Sequence, residues 1–269
     1  MFVVAAETQS GSGTLPPSAL ASLGGVSVIM PTLNEAGNIE LLILAAANSL
    51  RNAGVSPFEV VVVDDDSTDR TWEIAQSVVC PGADIRVERR MRDHGLTASL
   101  RRGIELARYD IVVWLDCDFS HPPEKIPQMV YMIAEGYDVV VNSRYTVGGG
   151  EDRVGKGGPM QLALSTILNW GVRFLLRPSF SDYTSGFIAA RRQILNDIPL
   201  RGDYGEYFID FIYRALRKNV RVCELPYKAP PRKSGESKTG KHFLDYASRG
   251  RKYLATVVRL SVESMLGKI

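Results

Sequence analysis

The sequence predicts an α/β fold, with a mostly parallel sheet flanked by helices and a helix at its C-terminal end. Three observations predict it. Largely apolar runs at Val26–Met30, Phe58–Val63 and Ile111–Leu115 read as strands buried on both faces. Segments with helical spacing stand between these runs. Acidic residues follow two of the runs directly, at Asp64–Asp66 and at Asp116 and Asp118. Strands alternating with helices imply right-handed parallel βαβ units. The acidic ends therefore gather on one edge of the sheet, the edge where ligands bind in open α/β folds.

The elements follow in order. Residues 1–24 are rich in Gly, Ser, Ala, Pro and Thr and read as a weakly ordered leader. Pro31 closes the first strand. A helix is expected from Asn34 or Glu35 through Leu50, with Ile39, Leu42, Ile43, Ala46 and Leu50 on one face. After the second strand come a helix over Thr71–Val79, a short strand at Ile85–Glu88 and a helix over His94–Ala107. Beyond the third run the pattern gives a helix over Pro123–Glu135, a strand at Tyr137–Asn142 and a Gly-rich loop at Gly148–Gly158. A long apolar helix (Gln161–Leu176), a strand at Phe187–Ala190, a helix over Gly205–Lys218 and a strand at Val220–Leu225 come next. The main domain is expected to span 25–241. Its last loop, 227–241, is polar and basic, and a helical appendage, 242–269, carries a helix over Phe243–Leu266.

Composition narrows the function. The chain has 269 residues and a net charge of +2 from 32 basic and 30 acidic residues. A balance of this kind gives no reason to expect nucleic acid. Arg232, Lys233, Lys238 and Lys241 nevertheless cluster, and a local basic loop is an anion-site candidate. Three scattered cysteines without CxxC spacing point to a reducing compartment. No apolar run reaches the ~20 residues of a membrane helix, and no signal peptide is evident. A cytoplasmic protein, soluble or peripheral at the membrane face, is expected.

The most informative stretch is Leu115–Pro123. Asp116 and Asp118 sit one residue apart at a strand end, and two hard oxygen ligands there suit Mg²⁺ or Mn²⁺ holding phosphate oxygens. A lone pair of this spacing is weak evidence, since a solvated loop can carry it. The surrounding motifs supply the context.

Those motifs are Val28–Glu35, Val61–Thr71, Asp116–Glu124, Asn142–Tyr145, Thr184–Phe187 and Gly235–Lys238. In that order the sequence resembles family 2 glycosyltransferases of the GT-A fold, and within them polyprenol- or dolichol-phosphate mannosyltransferases. The resemblance covers most of 25–241. It implies a nucleotide-sugar donor, usually GDP-mannose, and a polyprenyl phosphate acceptor. It also implies that Pro31, Leu33, Glu35, Val63 and Asp65 line the base and ribose. Asp116 and Asp118 should meet the metal, with Ser120 near it and Cys117 beside the nucleotide. Arg144, Ser165, Arg232 and Lys238 match positions around the diphosphate and acceptor phosphate. Two departures stand out. Gln161 occupies a place where similar proteins tend to carry Arg, which Arg153 or Lys156 could offset. Asp66 stands where Gly is usual, and Asp tolerates the left-handed turn better than most residues.

The chemistry fits this pattern. A phosphate monoester has a second pKa near ~6, so it attacks as a dianion and needs no general base. The protein must position two groups that repel each other and offset their charge. Direct displacement with inversion is expected. Simpler readings remain for several residues. Asn34 and Glu35 suit a helix start, Arg144 a surface ion pair, and Ser165 a bond to its own backbone. His121 could fix the turn before Pro122, and His94 could support a helix start. Glu206 and Asp210 could orient sugar hydroxyls or face water. The helix at the C-terminal end could dock at a membrane interface or pack on the domain, and the apolar helix 161–176 is a second surface of that kind.

Overall fold

Four parallel strands set the frame of the computed structural model, which describes residues 4–5, 24–151, 158–233 and 243–269. They are β2 (Val26–Thr32), β3 (Phe58–Asp64), β4 (Asp84–Arg89) and β5 (Ile111–Trp114). In β3 every residue is buried, as its near-continuous Val run requires. Helices α1 (Ile39–Asn52), α2 (Thr71–Ser77) and α3 (Leu96–Leu106) connect them. After β5 come a single 3₁₀ turn at Pro123–Lys125, α4 (Ile126–Ala134), β6 (Val139–Ser143) and the two-residue β7 (Gly150–Glu151). The chain continues through α5 (Gly158–Leu175), β8 (Ile188–Arg191), α6 (Arg192–Asp197), α7 (Glu206–Arg217), β9 (Val222–Pro226), β10 (Lys228–Ala229) and α8 (Phe243–Met265).

Among the described residues the main sheet has the order β1-β9-β6-β8-β5-β2-β3-β4, where β1 is Val4–Ala5. The sheet is mostly parallel, as expected. The exception is β8, which runs antiparallel between β5 and β6. Its apolar sequence specifies burial but not direction. The segment expected to be a leader contributes β1, which pairs parallel with β9. The loops after β6 and β9 pair as a small ribbon, β7 with β10, which was not expected.

Helices cover both sheet faces. Val28, Met30, Val60 and Val62 point toward α1 and α4, in a core cluster with Leu42, Ile43, Met129 and Ile133. Ile29, Val112, Trp114, Val139 and Val141 point the other way, against Tyr207, Phe208, Phe211 and Ile212 of α7. This is the period-2 alternation of a strand. Gly103 of α3 faces Ile29 so closely that a Cβ there would lie 2.4 Å from the isoleucine Cγ2. Only glycine lets α3 approach the sheet that near.

α1 begins four or five residues later than expected, at Ile39 rather than Glu35 or Asn34. Asn34 takes a left-handed conformation (φ 52°), and α1 starts at Ile39 after Asn38. The turn uses its polar groups across the loop instead. Asn34 N–H donates to Ser67 Oγ (2.8 Å), Glu35 N–H to Thr71 Oγ1 (2.8 Å) and Ala36 N–H to Asp69 Oδ2 (3.0 Å). Thr68 N–H donates back to Asn34 Oδ1 (3.0 Å). The loops after β2 and β3 are thereby fastened together.

Candidate active site

The ends of β2, β3 and β5 lie side by side because the three strands are parallel and in close register, with Thr32 opposite Asp64 and Ile29 opposite Trp114. The acidic clusters therefore meet on one edge, as their position after strands implied. Their side chains do different things.

Asp64 is fully buried and accepts from Thr32 Oγ1 (2.7 Å), Ser67 N–H (2.8 Å) and Ser67 Oγ (2.6 Å). It closes the loop. Asp65 accepts from Arg90 Nη1 and Ser99 Oγ on Oδ1 (2.6 Å each) and from Gly95 N–H on Oδ2 (2.6 Å). In this arrangement both of its oxygens anchor the start of α3, which differs from the ribose contact the resemblance implies. Asp66 takes the left-handed conformation expected of it (φ 59°) and pairs with Arg89. Val63 has no exposed surface. Leu33 is exposed, Pro31 and Glu35 are half-buried, and Asn38 Nδ2 donates to Glu35 Oε2 (2.9 Å). These three offer accessible surface at the strand edge.

Asp116 is half-buried just past β5, and its N–H donates to Nδ1 of buried His121 (2.9 Å). An accepting Nδ1 places the ring proton on Nε2. The ring stacks on Phe187 at 5.1 Å. His121 therefore fixes the turn. Cys117 is buried. Asp118 is 3% exposed and accepts Ser120 N–H (2.9 Å). Burial pushes its carboxyl up, but the Arg232 guanidinium and the Ser120 N–H outweigh that and hold it below the usual range. It is ionised at neutral pH. The Ser120 hydroxyl lies against this carboxylate, yet it is buried and completes no hydrogen bond.

The described start of the basic loop, through Lys233, lies on this motif. Arg232 Nη1 lies 3.0 Å from Asp118 Oδ2. Lys233 N–H donates to the Asp118 carbonyl (3.1 Å), and its Nζ sits 4.9 Å from the Phe119 ring centre. A guanidinium rests where a positive charge is required.

The donor set also suits a divalent cation. Two carboxylates, one ionised despite burial, lie beside an unsatisfied hydroxyl. Mg²⁺ commonly takes one or two carboxylates and completes its shell with water and substrate phosphate. Among the described residues no third His, Cys, Asp or Glu joins them.

Arg144 is not the surface ion pair weighed from sequence; its ion pair is buried. It is buried, and its N–H and Nε donate to Asp182 Oδ2 (3.0 and 2.9 Å) while Nη2 donates to Oδ1 (3.0 Å). Asp182 is itself fully buried. Burial would raise it, and the paired guanidinium lowers it overall. Behind it, Glu224 of β9 accepts the N–H groups of Ser181 (2.8 Å) and Asp182 (3.1 Å). Burial pushes the Glu224 carboxyl up to about 7. The loop carrying Arg144 depends on Gly149, where a Cβ would lie 2.6 Å from the Ser143 carbonyl oxygen. Ser165 is half-buried on α5, whose next residue, Thr166, lies 3.5 Å from the Tyr145 hydroxyl. Lys238, Arg153, Lys156 and the Gln161 side chain lie outside the described residues.

Sequence reasoning missed three residues. Asp182 and Glu224 carry a signal, since a carboxylate inside a buried strand or tight turn needs a partner. Tyr207 of α7 accepts Trp114 Nε1–H (3.0 Å), and burial followed by the Asp116 charge raises its phenol. Glu206 and Asp210 neither face water nor reach an exposed surface. Glu206 accepts Asp203 N–H (3.0 Å), and Asp210 pairs with Arg214 (2.9 Å) and Arg259 (2.7 Å).

Known proteins resemble this chain over most of its length. The model of the family described as glycosyl transferase family 2 matches residues 27–199. A dolichol-phosphate mannosyltransferase from Pyrococcus furiosus is 34% identical over 231 residues, covering 82% of this chain. The chain spans 61% of that relative's length. A polyprenol monophosphomannose synthase from Mycolicibacterium smegmatis is 31% identical, over 87% of this chain and 88% of its own. Among solved structures, glucosyl-3-phosphoglycerate synthase from Mycobacterium tuberculosis superimposes with a TM-score of 0.68 at 22% identity, covering 91% of this chain and 81% of that one. That structure holds Mn²⁺, UDP and phosphoglyceric acid. The likeness shows a shared GT-A fold.

Proposed function

We propose that this chain, which belongs to glycosyl transferase family 2, moves mannose from GDP-mannose to a polyprenyl phosphate with inversion at the anomeric carbon. The observation that carries the reading is that Arg232 and Lys233 lie on the dicarboxylate motif, through Arg232–Asp118 and Lys233–Phe119. The names of the Pyrococcus and Mycolicibacterium relatives support the sugar and the acceptor class.

Asp116 and Asp118 would hold Mg²⁺ or Mn²⁺, with the Ser120 hydroxyl near, and the cation would neutralise charge on the departing diphosphate. The chain's own residues do the rest. His121 and Phe187 hold the turn that aims the two carboxylates. The accessible surface of Pro31, Leu33 and Glu35 receives the nucleoside. Arg232, Lys233 and Lys238 offset the repulsion between donor diphosphate and acceptor phosphate. Arg232, which pairs with Asp118 here, would be free to turn to a phosphate if that carboxylate held a cation. Arg144 serves through Asp182 and Thr184, holding the loop after β6 in place. The acceptor is already mostly dianionic at neutral pH, so no residue need remove a proton. The enzyme works at the cytoplasmic face of a membrane, where such an acceptor resides.

The test is nucleotide release from a donor panel, with a short polyprenyl phosphate, in Mg²⁺, in Mn²⁺ and in chelator. GDP-mannose turnover that needs both the cation and the lipid phosphate is expected, with an inverted product. A preference for UDP-glucose would overturn the donor, and a retained anomer would overturn the displacement.

A further inference from the structure

The carboxylate of Asp66 stands at the edge of the nucleoside surface and is only half used. Asp66 follows the acidic end of β3, half-buried and in the left-handed conformation. Its turn is tied to the loop after β2. Asp65 N–H donates to the Thr32 carbonyl (2.9 Å), and Asn34 exchanges bonds with Ser67 and Thr68. That same loop carries Leu33 and Glu35. In the sheet order β3 is the second strand from β5, about 10 Å across. Asp66 therefore stands as far from Asp116 and Asp118 as a nucleoside reaches from its diphosphate to its base.

Two neighbours hold this carboxylate still. The Arg89 guanidinium, at the end of β4, lies over the ring of Trp72 on α2, 4.6 Å from its centre. Its Nε and Nη2 both reach Asp66 Oδ1, at 2.7 and 2.5 Å. Asp66 Oδ2 takes no hydrogen bond among the described residues. An ion pair as accessible as this one adds little to stability, yet it is aligned by a fork and a ring. Arg89 also borders an open cleft of about 470 Å³, which runs on past Arg90, Met91 and Arg92. Leu33 and Met91 are both exposed and offer apolar surface to a flat ring.

Chemistry selects the base. A carboxylate accepts and does not donate. Guanine sets two donors side by side on its pairing edge, N1–H and the 2-amino group, and together they suit a carboxylate. Uracil sets a single N–H between two carbonyl oxygens, which a carboxylate repels. Adenine and cytosine each pair one amino group with a ring nitrogen that only accepts.

We infer that Asp66 reads the base of the donor, accepting the N1–H and 2-amino hydrogens of guanine, with Arg89 and Trp72 as positioning residues. The inference rests on the nucleoside lying across the ends of β2 and β3 as proposed above. It supplies a physical reason for a guanine nucleotide over a uracil one.

The test is titration calorimetry of the full chain in Mg²⁺ with GDP, UDP and inosine diphosphate, which lacks only the 2-amino group of GDP. Wild type is compared with Asp66→Asn and Arg89→Gln. Wild type should bind GDP about tenfold or more tighter than inosine diphosphate, because the lost bond is to a charged acceptor, and UDP more weakly still. Asn tolerates the left-handed turn as Asp does, so Asp66→Asn should keep its thermal midpoint. Its amide offers one acceptor and one donor, and the three affinities should converge. Arg89→Gln leaves the turn intact and the carboxylate unaligned, and should shrink the ratio of GDP to inosine diphosphate affinity. A wild type that binds GDP and inosine diphosphate alike overturns the inference, as does an Asp66→Asn protein with the wild-type ratio. Either result leaves GDP-mannose standing as the donor. A wild type that prefers UDP, or binds no nucleotide, overturns the donor reading and this inference together.

Discussion

Replacing Glu224 by Gln should remove most of the pH dependence of stability between pH 5 and 8. Glu224 sits in the buried strand β9, and burial, with the nearby Asp182 charge adding, raises its carboxyl from an ordinary 4.5 to about 7. Folding therefore favours the protonated form, and the folded state binds more protons than the unfolded one between those two values. The sign follows. The stability from this group is complete below 4.5, falls as pH rises through about 7, and is flat beyond. The separation corresponds to about 3 kcal/mol. Gln cannot ionise, so it escapes this loss. Its amide nitrogen cannot accept, so one of the two bonds from Ser181 and Asp182 N–H is given up, at about 1 kcal/mol at every pH. The variant should then match wild type closely near pH 5 and be more stable by roughly 2 kcal/mol at pH 8. Urea midpoints measured at pH 5, 6, 7 and 8 check this. Parallel profiles for the two proteins would refute the reasoning, because they would mean that Glu224 has the same proton affinity folded and unfolded.

Further outcomes follow from the same geometry. Asp118→Asn should cut metal-dependent turnover by about a hundredfold or more while the thermal midpoint stays near wild type; near-normal rates would remove the carboxylate from the cation site. Arg144→Lys gives up the forked contact with fully buried Asp182 and should destabilise by about 3 kcal/mol; a change within measurement error in urea would show that a point charge suffices. Gly103→Ala drives a Cβ to 2.4 Å from Ile29 Cγ2 and should cost about 1–3 kcal/mol; an unchanged midpoint would mean that Ile29 finds another rotamer freely.

The strands that carry the site were legible because burial on both faces leaves a continuous apolar run, as in Val60–Val63 and Ile111–Trp114. Parallel direction followed from the helices between them, and with it the shared edge of the acidic clusters. Direction failed at β8: the helix α5 stands between it and β6, yet the two strands run antiparallel. β8 is apolar like its neighbours, but its antiparallel pairing with β5 and β6 is a tertiary fact. The helix start was misplaced because Asn34 and Glu35 are good cap residues, and nothing local reveals that Ser67 and Thr71 claim their backbone groups first. Arg144 shows the same limit. Its chemistry suits a phosphate, and only the fold reveals Asp182 across 38 residues of chain. Asp210 is the counter-example: its i, i+4 partner Arg214 was one helical turn away and readable.

The reversed strand also orders events during synthesis. When the ribosome has released the chain through β5, the strands β4, β3, β2 and β5 can pair with one another, since all four have emerged. The outer edge of β5 then has nothing to bond until Ile188–Arg191 appears. β6 emerges meanwhile but pairs only with β8 and β9, both still to come. An open, apolar strand edge is an adhesive surface for other nascent chains. Translation through residues 115–187 is thus the interval in which this protein most needs a chaperone, and a chain truncated before Ile188 should precipitate even though its first four core strands are whole.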